Sequence, residues 1–477
     1  MDRGSGLTLA FAGLGILAGL GAPCPAREGA QDRPNVVFVL FDDMGYGQPG
    51  CYWRETRCRT PNLDRLAAEG MRFTDAHSAS AVCTPTRYGV LTGRYPWRIG
   101  QYGVLTTFSR PIIPPARLTV ASLFRQHGYA TGCFGKWHLG AEVRHAAAKD
   151  EGPDPQDGEG EGAKKKVKKG GKAAKEPEVP AGTPVAEGPL ARGFDSFAGY
   201  THARNIGMII EDDRVAGEVE PVEAQPLLAR RAVEFIERQA KAGKPFFLYV
   251  PLATPHTPHV PAAEFQGKTE AGAAGDWLFE GDWVLGRVLE ALGQFKLAEN
   301  TLLIAASDNG WPGPNPPLRA GKASIYEGGH RVPFLARWPG RIRPGSVCDE
   351  TVCLNDLMAT AAELLGARLP DGGGEDSVSL LPLLRGTARG PVREATVHQS
   401  SGGDVAVRQG PWKLVLLRKG VRELYDLTQD LGERNDVAAA NPGVVERLSK
   451  LLEKYVAEGR STPGAPQKND VAVKFLR

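Results

Sequence analysis

Four uninterrupted apolar runs punctuate the first two thirds of the chain: residues 35–41 (NVVFVLF), 129–134, 245–252 and 301–306. Runs of this kind suit strands covered on both faces, as in a parallel sheet. Each gives way abruptly to polar residues: Asp42-Asp43, Gly135-Lys136-Trp137-His138, Thr254-Pro255-His256 and Ser307-Asp308-Asn309. Segments of helical period lie between them. Thr60-Pro61 opens one that stops at Gly70, a Pro start and a Gly stop being the usual asymmetry of helix ends. Residues 122–127, 227–240 and 276–295 read as further helices. Strands alternating with helices predict an α/β fold with a large, mostly parallel sheet flanked by helices. In such sheets ligands sit beyond the carboxyl ends of the strands. Four strands that deliver Asp, Lys, His and Asn to that edge therefore define a candidate site from pattern alone.

The last part of the chain has another rhythm. Residues 395–398, 404–408, 412–417 and 423–425 are short strand-like pieces separated by turn residues, and 442–456 is amphipathic. This predicts a small C-terminal antiparallel sheet plus helix, at 391–460, after a main domain at 33–390 and before a tail at 461–477. Residues 146–188 lack apolar periodicity, are rich in Gly, Pro, Glu and Lys, and include Lys164-Lys165-Lys166. They read as a disordered, hydrated surface insertion.

Composition adds limits. With 42% hydrophobic residues among 477, the chain can bury a large core, and its formal net charge of +3 with no basic stripe interleaved with aromatics argues against nucleic acid as a partner. Arg3 precedes an apolar, small-residue run at 7–20. Residues 1–26 read as a signal peptide cleaved between Ala22 and Ala30, the run being short and Gly-rich for an anchor of about 20 residues. The expected location is outside the cytoplasm, periplasmic or secreted, with no membrane span after processing. Cys24, preceded by Pro23, leaves lipoprotein processing open. Cys51 with Cys58 and Cys348 with Cys353 are close pairs, either disulfides formed after export or buried thiols.

Two carboxylates side by side at a strand end, Asp42 and Asp43, repel each other. A hard divalent cation relieves that cost, and Asp308-Asn309 brings more oxygen ligands from a second strand end. Zinc-like Cys/His spacing is absent, so calcium or magnesium is the reading, and calcium tolerates a crowded, irregular oxygen shell better. In the stretch at 80–94, SAVCTPTRYGVLTGR, Arg87 follows Cys83 by four residues and would lower a thiol pKa or bind an anion.

Cys83-Thr84-Pro85-Thr86-Arg87, continued by Leu91-Thr92-Gly93-Arg94, resembles the first signature of the type I sulfatases, C-x-P-[ST]-R-x-x-x-L-T-G-R. Gly128-Tyr129-Ala130-Thr131 with Gly135-Lys136-Trp137-His138-Leu139-Gly140 resembles the second. The resemblance implies an alkaline phosphatase-like fold and hydrolysis of aryl or carbohydrate sulfate monoesters. It implies conversion of Cys83 to formylglycine by a maturation enzyme that reads C-x-P-x-R. It also implies one calcium ion on Asp42, Asp43, the modified Cys83, Asp308 and Asn309. By the same resemblance Arg87 and His138 attend the formylglycine hydroxyls, and Lys136, His256 and Lys322 bind sulfate, with His259 an alternative to His256. Two relatives of this chemistry stay open: a formylglycine-dependent phosphonate monoester or phosphodiester hydrolase, and an inactive glycan-binding protein. The loops at 95–108 and 200–214 are expected to shape the pocket, with Arg98, His202 and Arg204 as candidate substrate contacts or ordinary surface residues.

Overall fold

The computed structural model describes Met1, residues 33–143 and residues 179–475. The predicted signal segment with Cys24, and most of the predicted insertion, lie outside the described residues.

The run at 35–41 forms strand β1 (Asn35–Asp42). Its continuity has a simple cause: Val36, Phe38 and Leu40 enter one hydrophobic core, and Val37, Val39 and Phe41 enter another on the opposite face. Helix α1 (Pro61–Glu69), edge strand β2 (Met71–Phe73), helices α2 (Cys83–Thr92) and α3 (Val120–Gln126), and strand β3 (Ala130–Lys136) follow. Strands β4 (Ser196–Tyr200), β5 (Met208–Glu211) and β6 (Arg214–Glu218) lead to helix α4 (Pro221–Ala242) and strand β7 (Phe246–Pro255). Helix α5 (Gly272–Gln294), strands β8 (Thr301–Ser307), β9 (Phe334–Arg337) and β10 (Ser346–Cys348), and helix α6 (Leu357–Leu364) come next.

These strands form one sheet in the order β10-β2-β9-β8-β1-β7-β3-β4-β5-β6. Its centre, β8-β1-β7-β3-β4, is parallel; antiparallel pairs flank it on both sides. Helices α1, α4 and α5 cover one face through Leu66, Ala232 and Leu285. Helices α2, α3 and α6 cover the other through Leu91, Phe124 and Met358. Parallel register brings the carboxyl ends of β1, β7 and β8 together, with Asp42 opposite Pro255 and Phe41 opposite Ser307.

Strands β11 (Thr396–Gln399), β12 (Val405–Gln409), β13 (Trp412–Leu416) and β14 (Arg422–Asp426) form the expected antiparallel sheet, with helix α7 (Pro442–Glu458) packed on it. Leu448, Leu452 and Tyr455 of α7 share a core with Val397, Leu414, Leu424 and, from far upstream, Tyr95 and Trp97. Val473 and Phe475, in the stretch expected as a tail, pack against that core. The end of the expected insertion is also ordered: Val179 is buried, and Val185–Ala186 pairs with Glu142–Val143. The close cysteine pairs stand as free thiols. Cys348 belongs to the ladder with β2, while Cys353 belongs to a separate ladder with Ala76–His77, and Cys51 Sγ lies 3.9 Å from the Leu63 carbonyl. Among the described residues no helix is long and apolar enough to cross a membrane.

Candidate active site

Beyond the strand ends, β1 and β8 are stitched together by their own polar residues. Asp43 turns off the sheet with φ 69°, in the left-handed region that Asp tolerates better than most residues. Its N–H donates to Asp308 Oδ1 (3.1 Å), and the Met44 N–H donates to Ser307 Oγ (2.9 Å), which in turn donates to the Asn309 carbonyl (2.9 Å). Asn309 Nδ2 donates to Asp43 Oδ1 at 2.7 Å. Two strand ends thus hold three carboxylates and an amide within one small volume.

Strand β3 adds a lysine. Gly135 sits at φ 142°, and a Cβ there would lie 1.9 Å from the Pro251 carbonyl oxygen of β7. Only glycine allows the two backbones to approach so closely, and the approach delivers Lys136, whose Nζ donates to Asp42 Oδ2 at 2.6 Å. Helix α2 adds the cysteine and arginine. Cys83 is its first residue, where backbone N–H groups concentrate positive potential, and Arg87 lies one turn on along the same face. Arg87 donates to Asp308 Oδ2 from Nη2 (2.8 Å) and Nε (3.2 Å), and to the Lys136 carbonyl from Nη1 (3.0 Å). Its Nη2 is 3.7 Å from Asp42 Oδ1. Lys322 Nζ donates to Asp43 Oδ2 at 3.0 Å, and His256 Nε2 is 3.9 Å from the same oxygen.

Asp42, Cys83, Arg87, Lys136, Asp308 and Asn309 are fully buried, so charge is decided by neighbours rather than water. Burial acts to raise the Asp42 carboxyl, but Lys136, His256, Arg87 and Lys322 outweigh it and hold the group below the usual carboxylate range. Asp308 is pushed upward by burial and then by the Asp42 charge. Burial drives the Cys83 thiol up to about 12, so an unmodified thiol there is no nucleophile near neutrality. His138 is held well below the usual imidazole range by burial, then by Lys136, His202 and Arg87. Its Nε2 lies 2.8 Å from the Leu105 carbonyl oxygen. A carbonyl can only accept, so the ring proton resides on Nε2 and the lone pair on Nδ1.

The donor set fits a hard divalent cation. Asp42, Cys83 and Asp308 each offer an atom within 4.8 Å of the others. Asp42 Oδ1 and Asn309 Oδ1 are buried oxygens without a hydrogen-bond partner, a costly state that a cation relieves.

All the residues expected at this edge from the two signatures and the strand ends converge, and the structure separates the two histidine alternatives. His256 is buried beside Asp43, whereas His259 is half-buried with its ring stacked on Trp311. Arg98 is not a pocket residue: it is buried and grips Asp376 through Nε (2.8 Å) and Nη2 (2.7 Å). His202 reaches the site, its ring centroid 4.6 Å from that of His138, and Arg204 is half-buried nearby in sequence. Two contributors escaped sequence reasoning. The Leu105 carbonyl carries no side-chain signal, and Ser307 is legible only as the polar residue that ends an apolar strand.

Known proteins share this plan. The family model for sulfatases matches residues 34–367, and that for the C-terminal part of N-sulphoglucosamine sulphohydrolase matches 321–460. The N-acetylgalactosamine-6-O-sulfatase of Bacteroides thetaiotaomicron is 30% identical over 510 aligned residues, which cover 92% of this chain and 97% of that one. Human arylsulfatase A is 33% identical, with 92% of this chain and 89% of the relative covered. A solved Bacteroides thetaiotaomicron sulfatase, from work on the metabolism of multiple glycosaminoglycans, superposes with a TM-score of 0.76 at 28% identity over 89% of this chain and 99% of its own. Likeness of this extent, in sequence and in fold, makes the chain a member of the sulfatase family and a hydrolase of sulfuric esters.

Proposed function

We propose that the protein removes sulfate from sulfated carbohydrates, using a formylglycine made from Cys83 and a calcium ion held by Asp42, Asp43, residue 83, Asp308 and Asn309. The observation that carries this reading is the meeting of Cys83 with the Asp42 and Asp308 carboxylates, three ligand atoms from three separate elements within 4.8 Å. Carbohydrate is preferred to aryl sulfate because a relative matched along nearly its whole length is named for a sulfated amino sugar. Cys83 is fully buried, so the maturation enzyme must read its C-x-P-x-R segment before the fold closes. We place the mature protein outside the cytoplasm, in keeping with the apolar run at 7–20.

Calcium held by these residues would supply positive charge at the site, and a hydrated formylglycine would supply two hydroxyls on one carbon, one as nucleophile and one as a route of release that serine lacks. The chain's own groups do the remainder. Lys136 Nζ and Lys322 Nζ, already drawn in by Asp42 and Asp43, gather the sulfate oxygens and hold the ester in line with residue 83. Arg87 fixes the Asp308 carboxylate and the residue-83 turn of α2. His138 Nδ1 accepts a proton from the second hydroxyl. His256 Nδ1 donates to the Thr257 carbonyl, which orients Nε2 beside Asp43; with the ring doubly protonated, Nε2 would give its proton to the leaving alcohol, with Lys322 as the other donor at hand.

The test expresses the chain with and without a formylglycine-generating enzyme. Peptide mass spectrometry reads residue 83, elemental analysis reads calcium, and defined sulfated sugars, an aryl sulfate and an aryl phosphonate are assayed at matched concentrations. The aldehyde, calcium and sulfate release should appear together, and Asp308→Ala should lose calcium and turnover together. Unmodified Cys83 after co-expression, or phosphonate cleaved in preference to every sulfate, would overturn the reading.

A further inference from the structure

Outside the catalytic cluster, a cleft of about 760 Å³ opens between the loop after α2 and the C-terminal sheet. Three cations line it: Arg418 and Lys419 at the tip of the β13–β14 hairpin, and Lys474 near the end of the described chain. All three are exposed. The nearby carboxylate of Asp404 is already engaged by the Arg418 N–H (2.9 Å) and the Ser400 hydroxyl (3.2 Å). Two aromatic residues, Tyr102 and Phe475, line it as well. Cations beside aromatic faces suit an anionic sugar ring, which presents charge at its edge and C–H groups on its face.

Two short hydrogen-bonded links connect the lining of the cleft to residues of the active site. Ser401, which lines it, donates from N (3.2 Å) and Oγ (3.4 Å) to the carbonyl of Ala323, the neighbour of Lys322. Tyr102, which also lines it, starts the loop whose Leu105 carbonyl holds His138. Gln399 Nε2 pins that loop to β11 through the Gln101 carbonyl at 2.7 Å.

We propose that this cleft is a second anion-binding subsite, which holds a carboxylated or sulfated sugar unit adjoining the one whose ester is cleaved. The proposal rests on the reading of the protein as a carbohydrate sulfatase and makes its substrate an oligosaccharide with at least two anionic units. The three cations lie outside the catalytic machinery.

The test uses full-length Cys83→Ala protein, which binds without turnover, and its derivative carrying Arg418→Ala, Lys419→Ala and Lys474→Ala. Titration calorimetry compares a sulfated, uronate-containing tetrasaccharide with the sulfated monosaccharide. Losing three rim charges should weaken the tetrasaccharide about tenfold, leave the monosaccharide unchanged and flatten the salt dependence of binding. The same substitutions in formylglycine-bearing enzyme should raise KM for the tetrasaccharide alone. Equal tetrasaccharide affinity in both proteins, or an equal loss for both sugars, would overturn the subsite while leaving the sulfatase reading intact. If Cys83→Ala protein binds neither sugar and the mature enzyme desulfates neither, the carbohydrate reading fails and the subsite with it.

Discussion

At the scale of single residues, Arg87 is the side chain on which the buried charges depend most. It reaches Asp308 by two N–H groups, Asp42 at longer range and the Lys136 backbone, all without exposure. Removing one partner of a buried ion pair leaves an uncompensated charge, which costs about 3–5 kcal/mol. Arg87→Gln should therefore lower the urea midpoint of chelator-treated protein by a corresponding amount. Arg87→Lys should recover part of it, since an ammonium keeps the charge and loses the planar fork. An unshifted midpoint for Arg87→Gln would show that Asp308 is neutral in the fold. The importance of Arg87 was visible in the sequence through its spacing from Cys83, and Asp42, Asp43, Lys136, Asp308 and Asn309 were visible as polar ends of apolar runs. Other residues were ambiguous for physical reasons. His256 and His259 follow the same strand, so linear order alone does not say which turns inward. Arg98 read as a pocket candidate because its partner, Asp376, lies 278 positions away.

At the scale of elements, helix α5 buries a carboxyl that matters to pH. Glu280 accepts the Ala262 N–H at 2.9 Å. Burial pushes its pKa up to about 8, with Glu264 adding and the Ala262 N–H opposing. An unfolded glutamate releases its proton near 4.5, so the native state holds an extra proton in between. The stability Glu280 contributes is full below about 4.5 and is lost as pH rises towards and through about 8. Glu280→Gln keeps the acceptor and cannot ionise. Its stability should match the wild type near pH 4.5 and exceed it near pH 8.5 by on the order of 5 kcal/mol, read as a higher melting temperature. A constant difference across that range would mean that Glu280 titrates normally. Element identity followed legibility of pattern. The central parallel strands are long and apolar on both faces, and were plain in the sequence. Strands β2, β9 and β10 are three or four residues long, too short for any period to register. They exist because tertiary pairing with β8 and with one another supplies the hydrogen bonds.

At the scale of the whole molecule, the C-terminal sheet is wired into the main sheet by buried charge. Lys413 of β13 donates to Glu327 Oε1 (2.9 Å), lies 2.7 Å from Glu433 Oε1 and 3.0 Å from His330 Nε2. Arg408 of β12 meets Asp75 at 3.3 Å, and His398 of β11 bonds the Ser78 carbonyl at 3.0 Å. Burial acts to raise the Glu327 carboxyl, but Lys413, His77, His330 and Arg331 hold it well below its ordinary range. The sequence shows a change of rhythm near 391, yet nothing in a linear pattern announces that Lys413, in an otherwise apolar strand, is the reciprocal of a carboxylate 86 positions upstream. The described residues from 33 onward accordingly cluster as one compact unit, and the sheet should not unfold by itself. Far-ultraviolet dichroism and tryptophan fluorescence should trace one coincident urea transition. Lys413→Met should move that transition down by about 3–5 kcal/mol while keeping it single, because Glu327 loses its cation at the junction of the two sheets. Two separated transitions in the wild-type protein would instead mark the C-terminal sheet as an independent domain. A single transition that Lys413→Met leaves in place would assign the junction to its apolar contacts, with the buried charges contributing nothing net.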